Sequence, residues 1–135
     1  MSEPRQQTVA GASELEGVGI HTGEPARIRF LSAEVDTGIR FRRTDLDGDP
    51  EIVASLEAVR DTELGTTLAA DGAEARTVEH VLSAVAALGI DNLVIEMTGP
   101  EVPILDGSFR PFLDVLREAG IREQDRPARV WEISR

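Results

Sequence analysis

Two adjacent residues, Glu79 and His80, have the types and spacing best suited to chemistry in this chain. A neutral imidazole can give a lone pair to a metal, and a neighbouring carboxylate can take a proton from water activated there. Hydrolysis of a carbonyl compound is the chemistry such a pair would serve. A catalytic zinc ordinarily takes three protein ligands, and the only other histidine is His21, in the glycine-rich run Gly17-Val18-Gly19-Ile20-His21-Thr22-Gly23. The chain has no cysteine, which excludes disulfides, thiolate metal sites and cysteine nucleophiles.

The element that carries the pair is a helix. From Thr77 onward Val78, Val81, Leu82, Val85 and Leu88 recur at helical spacing, Gly89 is placed to stop the run, and Thr77 suits an N-cap. At about 100° per residue the apolar set makes one face, and Glu79, His80 and Ser83 fall on the other. His80 is therefore either an ordinary surface histidine or a ligand presented to a partner group. In the first helical turn the positive end of the macrodipole disfavours imidazolium, which favours the second use.

Around this helix the sequence alternates strands and turns. Ala26 to Leu31 and Gly38 to Arg42 have the period-two pattern of half-buried strands. Asp71-Gly72 marks a hairpin between Thr66–Ala69 and Glu74–Arg76. Ile52 to Val59 fits either a strand or a short helix, and Asn92 to Met97 reads as a buried strand. A second helix is predicted over Ser108–Ala119, with Pro111 in its first turn and Gly120 after its end, and Val130 to Ile133 resembles the start of another strand. Strands followed by two helices around one strand predict an α+β fold: a two-layer sandwich whose mixed, mostly antiparallel sheet carries both helices on one face.

The 135 residues suit one domain, 41% hydrophobic and 29% charged, with a formal net charge of −11. Such an acidic surface repels nucleic acid, and every cation is arginine. The dense cluster Arg40, Arg42 and Arg43, followed by Asp45, Asp47 and Asp49, reads as a solvated strand edge in preference to a phosphate site. No apolar run suggests a secretory signal or a membrane span, so a cytoplasmic protein is expected.

Five ordered segments, GVGIHTG (17–23), GIRFRRTDL (38–46), VRDTELGTT (59–67), TVEHVLSAVAALGIDNLVIEM (77–97) and GPEVPILDGSFRPF (99–112), resemble the first domain of the UDP-3-O-acyl-N-acetylglucosamine deacetylases of lipid A synthesis. The resemblance runs from about Thr8 to about Trp131. It implies zinc-dependent hydrolysis of the substrate's N-acetyl amide. His80 matches a zinc ligand and Glu79 the general base, while His21 matches a substrate contact. Asp61, Thr62, Leu64 and Thr66 match the loop at the start of the acyl-chain passage. Asp106 matches a residue near the catalytic centre, and it equally suits a turn cap for Gly107-Ser108.

The resemblance also implies a second domain of similar fold, supplying a His-Lys-x-x-Asp motif and a further histidine as general acid. This chain has no lysine, so that motif is expected from outside it, and residues 1–135 are expected to form one domain that is inactive alone. Glu63 and Gly65 stand where larger, less polar residues are common in the family's loop. Two functions are consistent with these residues: half of a deacetylase site, or a non-catalytic domain that binds its missing half or associates with itself.

Overall fold

A computed structural model describes residues 4–62 and 65–128. Its central feature is a five-stranded sheet in the order β2-β3-β9-β4-β5, comprising β2 (Ser13–Val18), β3 (Pro25–Ser32), β9 (Leu93–Met97), β4 (Ile39–Arg43) and β5 (Glu51–Val53). All neighbours are antiparallel except β4 and β9, which run parallel. A three-stranded sheet of β6 (Val59–Asp61), β7 (Thr67–Ala70) and β8 (Ala73–Arg76) follows, and β1 (Arg5–Val9) pairs with β10 (Ile121–Pro127). Helix α1 spans Glu79–Ala87 and α2 spans Arg110–Ala119. This is the expected α+β sandwich.

Strand alternation explains where the core sits. Ile28 faces Met97, Phe30 faces Ile95, and Phe41 faces both Ile95 and Ile52 across the ladders. Successive side chains point to opposite faces, so these residues share one side of the sheet, and all of them are buried. Val81, Ala84 and Val85 of α1 and Phe112, Leu113 and Leu116 of α2 join the same cluster, with Leu68, Ala73 and Ala75 of the smaller sheet. The hairpin predicted around Asp71-Gly72 forms as β7–β8, and the buried strand predicted over 92–97 forms as β9. The ambiguous stretch 52–59 divides into β5, a 3-10 turn at Leu56–Ala58 and the first residue of β6.

Three expectations need correction. First, the arginine cluster does not line a sheet edge: β4 lies between β9 and β5. Arg43 has the same parity as Phe41 and points inward, where it is 6% exposed. There it grips both oxygens of Asp45 at 2.8 and 2.6 Å and donates to the Glu74 carbonyl at 2.9 Å. Arg40 and Arg42 take the other face and pair with Glu51, and Arg42 also reaches Glu96. Second, α2 begins at Arg110 rather than Ser108, because the Ser108 amide and hydroxyl both donate to Asp106 Oδ1. Third, Thr77 does not cap α1. The N-cap is Val78, without a side-chain cap bond, and the Thr77 hydroxyl donates to Glu101 instead. The strand expected over 130–133 lies outside the described residues.

Candidate active site

The chain approaches α1 through a strained turn. Thr77 has φ of 61°, a left-handed conformation that a β-branched residue rarely adopts. Glu79 and His80 follow at once as the first two residues of the helix. Both are half-buried, unlike Val78 and Val81 beside them, which are sealed in the core. The pair thus lies off the apolar face, as its spacing implied.

Glu79 is held from the β6–β7 connection. Its Oε2 accepts the Thr66 amide at 2.8 Å, and the Thr66 carbonyl accepts the Val78 amide at 3.3 Å. The strand connection and the helix start are therefore tied in both directions. Gly65 lies against the other carboxylate oxygen: a β-carbon there would come within 3.3 Å of Oε1, and the residue has φ of +120°. This close approach is what a glycine permits at that position. One carboxylate oxygen is thus engaged by an N–H and the other lies against Gly65, which restrains the Glu79 side chain.

His21 lies on the exposed loop between β2 and β3. A cleft of about 430 Å³ is lined by His21, Gly65, Thr67, Thr77 and the cationic side chains of Arg60 and Arg76. Glu74 is a further lining residue and pairs with both arginines, at 3.5 Å to Arg60 and 2.9 Å to Arg76. Gly65 of the cleft wall also approaches the Glu79 carboxylate, whereas Glu79 and His80 are not themselves among the residues that line the cleft.

Asp106 occupies an exposed turn. Its carboxyl is held below the ordinary carboxylate range first by the Ser108 hydroxyl and amide, with the charge of His80 contributing least. The turn-capping role is therefore present in the hydrogen bonds, and the turn also lies within electrostatic reach of His80. Thr66 touches Glu79, whereas Thr62 is exposed and no described bond brings it to the pair. Asp61 belongs to β6 by its backbone, and Leu64 lies outside the described residues.

One participant was not singled out from sequence. Glu101, 3% exposed, accepts the amides of His21 and Thr22 and the hydroxyl of Thr77. Burial alone would raise its pKa, but these hydrogen bonds outweigh it and hold the carboxyl below its ordinary value. Its position inside the segment GPEVPILDGS was the only available signal, since burial of a lone Glu among prolines and glycines has no periodic signature.

Among the described residues no three His, Cys, Asp or Glu side chains converge as a metal site. The donors present are one imidazole with a carboxylate beside it. They fit one corner of a tetrahedral zinc site, and they do not fill it.

A family model described as UDP-3-O-acyl N-acetylglycosamine deacetylase matches residues 6–135. Among curated proteins, the UDP-3-O-acyl-N-acetylglucosamine deacetylase of Marinobacter nauticus is 50% identical over 131 residues, covering 97% of this chain and 43% of that protein. The protein of the same name from Thermosynechococcus vestitus is 48% identical over 122 residues, 90% of this chain and 43% of its own length. That from Brucella melitensis biotype 2 is 46% identical over 128 residues, covering 95% and 45%. The chain spans less than half the length of these relatives.

Proposed function

Since this chain belongs to the UDP-3-O-acyl N-acetylglycosamine deacetylase family, we propose that it forms the first-domain half of a site that removes acetate from UDP-3-O-acyl-N-acetylglucosamine, in lipid A synthesis in the cytoplasm. In this reading His80 is one zinc ligand, and the remaining ligands come from residues outside this chain. Zinc, when bound, would polarise the amide carbonyl and make a water easier to deprotonate. Glu79 would take a proton from the attacking water, with the Thr66 amide holding its carboxylate. His21 contacts the substrate's polar head across the cleft. Asp61, Thr62, Leu64 and Thr66 border the acyl chain, and Asp106 keeps a negative charge near His80.

The observation that carries this reading is the placement of Glu79 and His80: adjacent, off the core face, and with the carboxylate anchored at 2.8 Å by Thr66, next to Gly65 of the cleft wall. The test combines the chain with the remaining domain of a relative and measures acetate released from the UDP-sugar with and without zinc. Release that requires zinc and both polypeptides, and is lost in Glu79→Ala, supports the reading. Release no greater than that of the added domain alone would sink it.

A second reading, an interaction domain without chemistry, draws on the incomplete ligand set and on the exposure of Val18, Ile20 and Phe109, at 49%, 58% and 39%. Apolar side chains left in water are available to a covering partner or to a second copy of the chain. Sedimentation with nucleotide-sugar titration separates the two. Self-association, with no gain in zinc or UDP-sugar affinity when the complementary domain is added, would favour the second.

A further inference from the structure

We propose that Glu101 is the positioning residue of this site: its buried carboxylate ties the His21 loop to the start of α1 and so sets where His21 stands relative to Glu79 and His80. The placement rests on geometry alone, and its importance for the reaction rests on the function proposed above.

Three segments far apart in sequence meet at this one side chain. Oε1 accepts the amides of His21 at 3.1 Å and Thr22 at 3.0 Å. Oε2 accepts the Thr77 hydroxyl at 2.8 Å and shares the His21 amide at 3.2 Å. The backbone around Glu101 is itself pinned to the residue before Thr77: Arg76 donates to the Pro100 carbonyl at 2.7 Å, and Val102 donates to the Arg76 carbonyl at 3.1 Å. The carboxylate is therefore fixed with respect to the helix start, and the His21 loop hangs from it.

The loop is shaped to receive that carboxylate. It closes on itself through Gly19 to Glu24 and Gly23 to Gly19 backbone bonds, both 3.0 Å, which turns the next amides inward as a small anion-binding concavity. The concavity is filled by a side chain of the same protein. Gly19 wraps it so closely that any β-carbon there would collide with Glu101 Oε1 and lie 2.6 Å from Thr22 Oγ1. Outside the concavity, Ile20 and His21 are exposed, so the loop's inner contacts with Glu101 set the position of its outer residues. On the helix side, the Thr77–Glu101 bond holds a β-branched residue at φ 61°, two positions before Glu79.

A buried carboxylate that merely satisfies its own hydrogen bonds would, when altered, loosen the whole domain. A positioning residue alters the loop selectively. The test is amide hydrogen exchange by NMR on the 135-residue chain, comparing wild type with Glu101→Gln and with Thr77→Ala and Thr77→Ser. In Glu101→Gln the His21 and Thr22 amides should exchange at least about tenfold faster while the β9 amides, Leu93 to Met97, keep their wild-type rates. Thr77→Ala should speed the same two amides about threefold, and Thr77→Ser, which keeps the hydroxyl, should restore them. Unchanged loop exchange, or acceleration spread equally through β9, overturns the proposal. Should Glu101→Gln fail to fold, the Thr77 pair decides by the same criteria. Zinc titration followed at the His80 ring in the chain assembled with its complementary domain tests the functional reading separately. A silent His80 with a selectively released loop would remove the function and leave the positioning role standing.

Discussion

Glu79 and Thr66 are joined by a carboxylate-to-amide bond of 2.8 Å that crosses from the first turn of α1 to the connection between β6 and β7. The candidate base is thus oriented by backbone outside its own helix, and the neighbouring Val78 amide returns the contact to the Thr66 carbonyl. A rotating surface glutamate would have neither constraint. Substitutions can address individually the observed role of Glu79, accepting an N–H, and its proposed role, accepting a proton.

Glu79→Gln keeps an oxygen for the Thr66 amide but cannot serve as a base. Acetate release by the assembled enzyme should fall by about 10²- to 10⁴-fold, while the urea midpoint of the chain stays close to wild type. Glu79→Ala should lose the same activity and also about 1 kcal/mol of stability, from the unpaired amide. Near-normal turnover in Glu79→Gln would remove Glu79 from the chemistry.

Gly65→Ala introduces a β-carbon 3.3 Å from Glu79 Oε1 on a backbone with φ of +120°. Strain of this kind costs about 1–2 kcal/mol. The expected result is a lower denaturant midpoint together with faster exchange of the Thr66 amide, because Glu79 must move away from both. A neutral substitution would mean that the glycine does not confine the carboxylate.

Elements with a strong period were legible in the sequence: Ile28 and Phe30 in β3 and Val81 and Val85 in α1 announce their buried faces by spacing, and β9 by its nearly continuous apolar run. The β1–β10 pair was not, because RQQTV and IREQDRP do not alternate apolar with polar residues. Polar side chains hold that end of the fold instead: Asn92 donates to Gln6 at 2.9 Å and to Gln124 at 2.8 Å. Local rules also misassigned Thr77, whose cap-like sequence position was overridden by a tertiary bond to Glu101. In the candidate site, the off-core placement of Glu79 and His80 could be read from helical spacing. The Thr66 and Glu101 contacts could not, since each joins segments whose separation in space is set only by packing.

Acid should destabilise the chain from a defined point. Glu101, Glu51 and Asp45 all have folded pKa values below their ordinary 4.5, 4.5 and 3.8. For Glu51 the main cause is the Arg42 hydrogen bond and for Asp45 that of Arg43. For Glu101, burial acts in the opposite direction and is outweighed by Thr22, Thr77 and His21. Because the unfolded chain binds these protons first, the contribution is complete above the ordinary values and is lost as pH falls through the depressed ones. The urea midpoint should therefore show no loss from these three groups above about pH 5 and a fall below about 4.5. Glu101→Gln should make that fall shallower. A midpoint that rises on acidification would contradict the assignment.

Arg43 ties the five-stranded sheet to the three-stranded sheet. From β4 it grips Asp45 with two nitrogens and donates its third to the Glu74 carbonyl in β8, the strand that runs directly into Thr77 and α1. Its side chain is 7% exposed and that of Asp45 is 29% exposed, so water can replace part of what Asp45 loses. Arg43→Ala should accordingly cost about 2–3 kcal/mol, less than the roughly 3–5 kcal/mol for breaking a fully sealed pair. Arg43→Met with Asp45→Ala should recover much of the loss by filling the space and removing the unpaired carboxylate. The urea unfolding cycle of Arg43→Met, Asp45→Ala and the double variant measures this coupling directly. A cost below about 0.5 kcal/mol for Arg43→Ala would show that apolar packing of Leu68, Ala73 and Ala75 is enough to hold the smaller sheet against the larger one.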